Sequence, residues 1–299
     1  MIKIRIPATS ANIGSGFDSL GLALNLYNYI YMEQIDGIEI KSKDHTVIPT
    51  GENNLVYKAA KHLFEICGKP FTGLHIEQEN NIPMTRGLGS SSACIVGGLF
   101  GANELMGNPL SQDELVNFAA VMEGHPDNST PAILGGLVTA VIDEGKVYCV
   151  KQEITEKLRF FAFIPDFEMS TEMARAALPQ TIAHKDGVFN LSRAALMSVS
   201  LYSGKFQNLR IAAQDRLHQP YRLGLIKDGD KVFQLAYDLG AYAAYISGAG
   251  STLMAIVDEK MAESFETEAR KGLDHLGHQS WEIKKMMIDN LGTQILANI

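Results

Sequence analysis

The stretch PMTRGLGSSSA, residues 83–93, lies between an alternating strand, LHIEQEN, and a long apolar run from Ala93 to Met106. Small residues packed between a strand and a helix force a tight turn, and the first amides of the helix open onto it. Gly87 and Gly89 permit positive φ and close approach by a ligand, while the helix start offers a positive dipole end. Ser90, Ser91 and Ser92 add hydroxyls able to bind phosphate oxygen or a magnesium ion. Such a loop can equally be an ordinary strand-to-helix turn. It is not a Walker A loop, since no Lys-Ser/Thr pair follows, and it lacks the spacing of a GxGxxG dinucleotide fingerprint.

The chain has 299 residues, enough for one large domain or two medium ones. With 46% hydrophobic and 20% charged residues, a packed core is expected rather than extended disorder. The formal net charge of −8 argues against a nucleic-acid partner but leaves room for a small anionic ligand held by local positive groups. Cys67, Cys94 and Cys149 are odd in number and widely spaced, which fits a reducing compartment without a disulfide framework. The start, MIKIRIPATSANIG, lacks the apolar centre of a signal peptide, and no stretch approaches the roughly 18 apolar residues of a membrane span. The expected location is the cytoplasm, where the triplets Asn128-Ser129-Thr130 and Asn190-Leu191-Ser192 carry no glycosylation meaning.

Period-two alternation predicts strands at IKIRIP, YNYIYMEQI, GIEIKS and LHIEQEN. Asn53 is expected to open the amphipathic helix NLVYKAAKHLFEICG, with Gly68 at its C-terminal end. Ser111 and Glu114 form a capping box before QDELVNFAAVMEG. GGLVTAVI and KVYCVKQEI read as strands, and a domain boundary is expected near residue 155, dividing the chain into 1–155 and 156–299. In the second part LRFFAFIPD, STLMAIVD and SWEIKKMMID read as strands. FNLSRAALMSVSLYSG, KVFQLAYDLGAYAAYISG and AESFETEARKGLDHLG read as helices. No internal repeat is found. Strands and helices mix without regular βαβ alternation, so the expected class is α+β in two layered units.

Three more stretches carry polar groups. PATSANIGSGFDSLG, residues 7–21, sets Thr9, Ser10, Asn12 and Asp18 among glycines just after the first strand. MEGHPDNSTPAILGG, residues 122–136, gathers Glu123, His125, Asp127 and Asn128, which are carboxylates for metal and proton work beside an amide donor. A lone histidine would more often be structural; the cluster is more telling. SGAGSTLMA, residues 247–255, is a second glycine loop before a strand. His275 and His278 have the spacing of one helix face and are expected to be solvated, while Met286 and Met287 are expected in the core.

Taken in order, PATSANIGSGFDSLG, PMTRGLGSSSA and SGAGST resemble the three motifs of the GHMP kinases over the whole chain. Within that family, PATSANxGxGFD and HPDN resemble the homoserine kinase branch. Neither the GEHTDY of galactokinases nor the GExxxV-type start of mevalonate kinases is present. Ser129-Thr130 stands where Val-Ala is usual, and Ser251 where the third motif often has proline. The resemblance implies a two-domain fold: an N-terminal, ATP-binding domain with a left-handed βαβ unit, and a ferredoxin-like C-terminal domain, with the site between them. It implies ATP-dependent phosphorylation of the L-homoserine hydroxyl, a step towards threonine, with ATP and Mg2+ as cofactors and no nucleic-acid or membrane partner. It is compatible with a homodimer.

By the same resemblance, Pro83, Arg86, Gly87, Leu88, Gly89, Ser90, Ser91, Ser92 and Ala93 form the nucleotide cradle. Ser91, with Ser92 as second choice, and Glu123 hold magnesium. Homoserine is a zwitterion with a hydroxyl tail. Asp18 suits its ammonium, Arg175 and Arg222 its carboxylate by planar pairing, and Asn12, His125, Asn128 and Thr171 its hydroxyl end. Asp127, Asn128 and Arg175 form the expected catalytic set. Asp127 matches the catalytic aspartate of mevalonate kinases, but positioning alone, with phosphate or water taking the proton, is an open alternative. Two other readings compete: phosphorylation of another small alcohol such as an isoprenoid precursor, which needs an apolar pocket, and a catalytically dead sensor, which predicts loss of Glu123 or Ser91.

Overall fold

A computed structural model describes residues 1–296 of the chain, so 297–299 of the expected second domain lie outside the described residues. The strands form two sheets. The first holds β1 (Ile2–Ala11), β2 (Leu20–Gln34), β3 (Gly37–Ser42), β4 (Gly73–Glu79), β5 (Leu137–Asp143), β6 (Lys146–Gln152) and, from the far end of the chain, β11 (Gln294–Leu296). Its order is β11-β1-β2-β4-β3, with β5 and then β6 continuing from the first part of β2. Pairings are antiparallel except β3 with β4, which are parallel and joined by helix α1 (Leu55–Ile66) as a βαβ unit.

Ile2, Ile4 and Ile6 alternate inward from β1, as the sequence pattern requires. The strand then outruns its expected end. A register shift between Pro7 and Ala8 absorbs the proline, which cannot donate to the ladder, and pairing resumes to Ala11. Thr9 and Ser10 are therefore buried strand residues, not loop residues.

Helix α1 starts one residue later than expected. Asn54 is its cap, accepting from the amides of Val56 and Tyr57 while its own amide reaches Gln78. Helix α2 (Ser90–Leu105) starts three residues earlier than expected, so the three serines are its first turn. Apolar nearly all round, it packs on α1 and beneath β1 and β2. Helix α3 (Gln112–Glu123) carries both bonds of the capping box. A short helix, α4 (Ser129–Leu134), is absent from the sequence reading, because STPAIL is too brief to show a period.

The second sheet holds β7 (Leu158–Ile164), β8 (Ala243–Ile246), β9 (Leu253–Asp258) and β10 (Glu282–Met286) in the antiparallel order β10-β7-β9-β8. With α9 (Gly229–Asp238) and α10 (Ala262–His275) it makes the βαββαβ pattern of a ferredoxin-like domain. Inserted between β7 and α9 are α5 (Thr171–Ala176), α6 (His184–Ser203), α7 (Leu209–Ala212) and α8 (Gln219–Leu223). The run KVFQLAYDLGAYAAYISG is thus not one helix. The chain turns at Gly240, φ +89, and AAYI becomes the fully buried strand β8. An apolar run buried on both faces has no period to distinguish strand from helix.

Strand β7 alternates between two cores. Phe161 and Phe163 pack with Phe265, Val232 and Ala236, whereas Phe160, Ala162 and Ile164 join the apolar core of the first sheet. At about 1.5–3 kcal/mol per buried phenylalanine, this shared core is a main link between the two units. The division at residue 155 is incomplete for a second reason: β11 belongs to the first sheet, and Ile288 bridges to Leu24. Two smaller expectations are corrected. His278 is buried, lies beyond α10, packs at a tilt against Trp281 and bonds Asp228, and Met287 is 38% exposed while Met286 is buried.

Candidate active site

The glycine loop is clamped from both sides. Thr9 N–H donates to Leu88 O at 3.1 Å, Ser247 Oγ donates to Gly87 O at 2.6 Å, and Thr252 N–H donates to Arg86 O at 3.1 Å. Gly87 and Gly89 have φ of +76° and +74°, and each lacks room for a side chain. A Cβ on Gly87 would stand 2.2 Å from Ser247 O, and one on Gly89 2.0 Å from Thr9 Oγ1. Both glycines are therefore required by the protein's own close packing, before any ligand arrives. Gly89 caps α2 without a side chain, leaving the first amides of the helix free toward a cleft of about 370 Å³.

Ser90, Ser91, Ser92, Glu123, His125 and Asn128 line this cleft, as do Thr171 and the 248–250 loop. Three expected nucleotide contacts do not. Leu88 and Ala93 are fully buried in the core, and Pro83 lines a separate hollow beside β7. Arg86 borders the cleft, but its guanidinium is committed to the carbonyls of Met84, Pro165 and Asp166. It fastens the loop to the end of β7.

Glu123 ends α3 facing the first turn of α2. Its Oε1 accepts a hydrogen bond from Ser92, not from the exposed Ser91, while its buried Oε2 has no hydrogen-bond partner among the described residues. Burial pushes its carboxyl up to about 7, with Asp127's charge adding and His125 opposing. A buried carboxylate with a spare oxygen beside hydroxyls at a helix N-terminus fits a magnesium ion shared with phosphates. Among the described residues no group of three or more His, Cys, Asp or Glu is arranged to hold a metal, His275 and His278 included.

The HPDN block is internally bonded. His125 Nδ1 lies 2.6 Å from Asp127 Oδ1, Asn128 Nδ2 reaches the same oxygen at 3.5 Å, and Thr9 Oγ1 donates to Asn128 Oδ1 at 2.8 Å. Burial favours neutral His125, but the bond and charge of Asp127, with Glu123 and Asp18 nearby, raise its pKa above the ordinary value. Asp127 is 2% exposed and turned toward His125, outside the lining of the cleft.

The charged residues expected for a zwitterion come together next to the cleft rather than in its lining. Arg175 Nη1 and Nη2 donate to Asp18 Oδ2 and Oδ1 at 3.1 and 2.9 Å, a planar two-point pair that is part-exposed. Arg222 is 2% exposed, and its Nη1 donates to Gly248 O at 3.0 Å. Burial and then Arg175's charge lower its pKa to about 10. Asn12 is committed at both ends, giving a hydrogen bond to Gly248 O and accepting one from Asp18 N–H, so it shapes the turn instead of meeting a hydroxyl. Thr171 begins α5, beside the cap residue Ser170.

The matches with known proteins agree with this geometry. The GHMP kinases N terminal domain family matches residues 54–136, and the GHMP kinases C terminal family matches residues 197–275. Homoserine kinase of Caldicellulosiruptor saccharolyticus is 49% identical over 99% of this chain and 97% of its own length. That of Clostridium beijerinckii is 47% identical over 99% of each chain. The crystal structure of homoserine kinase from Cytophaga hutchinsonii superposes with a TM-score of 0.88 at 28% identity, covering 99% and 97%. The chain belongs to the homoserine kinases of the GHMP family.

The two departures from the family motifs have structural outcomes. Ser129 and Thr130 are fully buried at the start of α4, with hydroxyls that find no partner among the described residues. Ser251 Oγ donates to Phe167 O at 2.9 Å, tying the third motif to the segment before α5. The reading by residue type missed Met169 in the cleft wall, Thr9 as the partner of Asn128, and Ser247 as the clamp on Gly87. Thr9 and Ser247 both stood inside quoted motifs, but nothing local to either reveals a partner more than a hundred residues away.

Proposed function

We propose that this chain transfers the γ-phosphoryl group of ATP to the side-chain hydroxyl of L-homoserine, giving ADP and O-phospho-L-homoserine on the way to threonine. The observation that carries the reading is the glycine-held start of α2 opening onto the same cleft as Glu123, His125 and Asn128. Phosphoryl transfer demands positioning and charge neutralisation more than covalent chemistry. The amides and hydroxyls of Gly87, Gly89 and Ser90 to Ser92 would hold the phosphates. Glu123 and the serines of the first turn, Ser92 foremost, would hold magnesium, which would supply positive charge to neutralise the phosphates.

On the acceptor side the Asp18–Arg175 pair is complementary to a zwitterion. An ammonium takes Asp18, a carboxylate takes Arg175 with Arg222 behind it, and the two protein groups exchange each other for the substrate. Such polar recognition disfavours an isoprenoid alcohol, and the presence of both Glu123 and Ser91 disfavours a dead sensor. The homoserine oxygen bonds to the γ-phosphorus as the bond to the β,γ-bridging oxygen breaks. With Asp127 turned away, its hydroxyl proton leaves to phosphate or water, and Asn128 and His125 orient the hydroxyl.

Residues 1–155 with the returning β11 form the nucleotide-binding unit. The three free cysteines support a reducing, cytoplasmic setting. Exposed Val141, Tyr148 and Val150 on the β5–β6 hairpin, beside Val199 and Tyr202 on α6, support self-association as a homodimer, which sedimentation would check. The reaction is tested by ADP release with ATP, Mg2+ and a panel of amino alcohols. Homoserine should be turned over far faster than mevalonate or an alcohol lacking the amine; the reverse order defeats the reading.

A further inference from the structure

We infer that His218 is a positioning residue that aligns Arg222 with the Asp18 turn for an amino-acid carboxylate; the inference rests on the homoserine reading above. His218 is fully buried at the N-terminal boundary of α8, one turn before Arg222. Its Nε2 lies 2.7 Å from Gly14 O, and its Nδ1 lies 3.3 Å from Arg222 Nη1. A carbonyl can only accept and a guanidinium can only donate, so Nε2 carries the hydrogen and Nδ1 the lone pair. The ring is neutral in one fixed tautomer. Burial and Arg222's charge hold its pKa below the ordinary value, while Asp215 and Asp18 oppose them.

The remaining contacts show what this ring aligns. Its face stacks on Phe17 at 5.0 Å and 19°, and the guanidinium of Arg222 lies 5.2 Å from the same phenyl ring. Phe17 immediately precedes Asp18, so one histidine touches the Gly14 carbonyl, the aromatic ring of the Asp18 turn, and the buried arginine. Asp215 cannot take over this task, because it accepts from the amides of Leu217, His218 and Gln219 and from Asn190. Arg222 gives Nε to Ala174 O and Nη1 to Gly248 O and His218. Its Nη2 has no hydrogen-bond partner among the described residues, and this is the part of the fork left for a ligand. Without the Nδ1 lone pair, Nη1 loses an acceptor and the fork loses its heading.

The test uses two variants of the full chain, which divide the two ring nitrogens between them. His218→Gln places an amide nitrogen near the Nε2 position and keeps the Gly14 bond, but it offers Arg222 no acceptor. His218→Asn places an amide oxygen near the Nδ1 position and keeps the Arg222 bond. Wild type is measured first, and absence of homoserine turnover there overturns the homoserine reading itself. For His218→Gln, calorimetric homoserine affinity and homoserine KM should weaken about tenfold, while affinity for a non-hydrolysable ATP analogue stays within about twofold. His218→Asn should keep homoserine affinity within about threefold and instead lower the melting temperature through the lost Gly14 bond. Combined with Arg222→Lys, His218→Gln should add no further homoserine loss, since it acts through that arginine. Unmoved homoserine affinity in His218→Gln, parallel loss of both ligands, or additive losses in the double variant each overturn the role. Should His218→Gln not fold, His218→Asn decides alone: a homoserine loss as large as tenfold overturns the proposal, and retained affinity supports it.

Discussion

The phosphate side of the cleft is built from backbone and short hydroxyls, whereas the acceptor side is built from long charged side chains. On the phosphate side the geometry is fixed by neighbours: Thr9 and Ser247 fill the space where side chains on Gly89 and Gly87 would go. On the acceptor side Asp18 and Arg175 are part-exposed and hold each other until something replaces one of them. One half is complete before its ligand binds, and the other is held in a pair that the ligand must exchange. Substitutions in the first half should therefore disturb fold and nucleotide binding together. Those in the second should disturb affinity for the acceptor and little else.

Gly89→Val should give the largest effect. It puts a β-branched residue at φ +74° with its Cβ 2.0 Å from Thr9 Oγ1. The expected cost is more than about 3 kcal/mol of stability, with nucleotide binding lost and any folded fraction still binding homoserine. Thermal melts with calorimetry of each ligand read both. Equal retention of nucleotide and fold would erase the contrast between the two halves.

Glu123→Gln should come next, with turnover lower by about a hundredfold and a weakened dependence of rate on Mg2+ concentration. The same substitution has a second signature. Glu123's carboxyl sits at about 7 against an ordinary 4.5, so the folded chain binds that proton more tightly than the unfolded chain. Its burial therefore costs stability increasingly as pH rises from 4.5 to about 7, by roughly 3 kcal/mol when fully ionised. Metal-free Glu123→Gln should melt higher than the parent at pH 7 and close to it below pH 4.5. A parent melting curve flat across that window would show that the carboxylate pays no such penalty.

Arg175→Lys sharpens the other half. It keeps the charge and loses the planar fork, so homoserine should weaken by roughly 1–3 kcal/mol with ATP affinity nearly unchanged. The melting temperature should hardly move, because a part-exposed ion pair contributes at most about 1 kcal/mol. A large fall in stability with an unchanged homoserine KM would make the pair a structural brace. The smallest effect belongs to a control outside both halves: Ser111→Ala should remove the cap of α3 at about 1 kcal/mol without changing either KM.

What was legible in the sequence was whatever is encoded locally. The capping box at Ser111, the glycine turn at 87–89 and the alternation of β1 each depend on neighbours within a few residues, so residue type and spacing reveal them. AAYI read as helix because a strand buried on both faces has no alternation to show. The extension of β1 past Pro7 depends on a bulge that only pairing with β2 discloses. Of the expected site residues, Glu123, His125, Asn128 and the serines converge on one cleft. Leu88, Ala93 and Asn12 went to structural work, since a motif records which residues recur and not which way they point. His218 offered no signal at all. A single histidine in RLHQPYRLG gains meaning only when Gly14, some two hundred positions earlier, is folded against it.

Strand β11 returns to β1 from the far end of the chain, and Lys3, Ile4 and Arg5 take their outer partners from it. A fragment ending near residue 155 would keep every residue of the glycine loop but leave that side of β1 as an open edge. It would also uncover the apolar surface that Phe160, Met197 and Tyr245 close in the whole chain. An open edge beside bare apolar surface is a template for pairing between molecules. Because β11 comes some 290 residues after β1 in the chain, synthesis from the N-terminus would leave that edge of β1 uncovered until residues 294–296 are made.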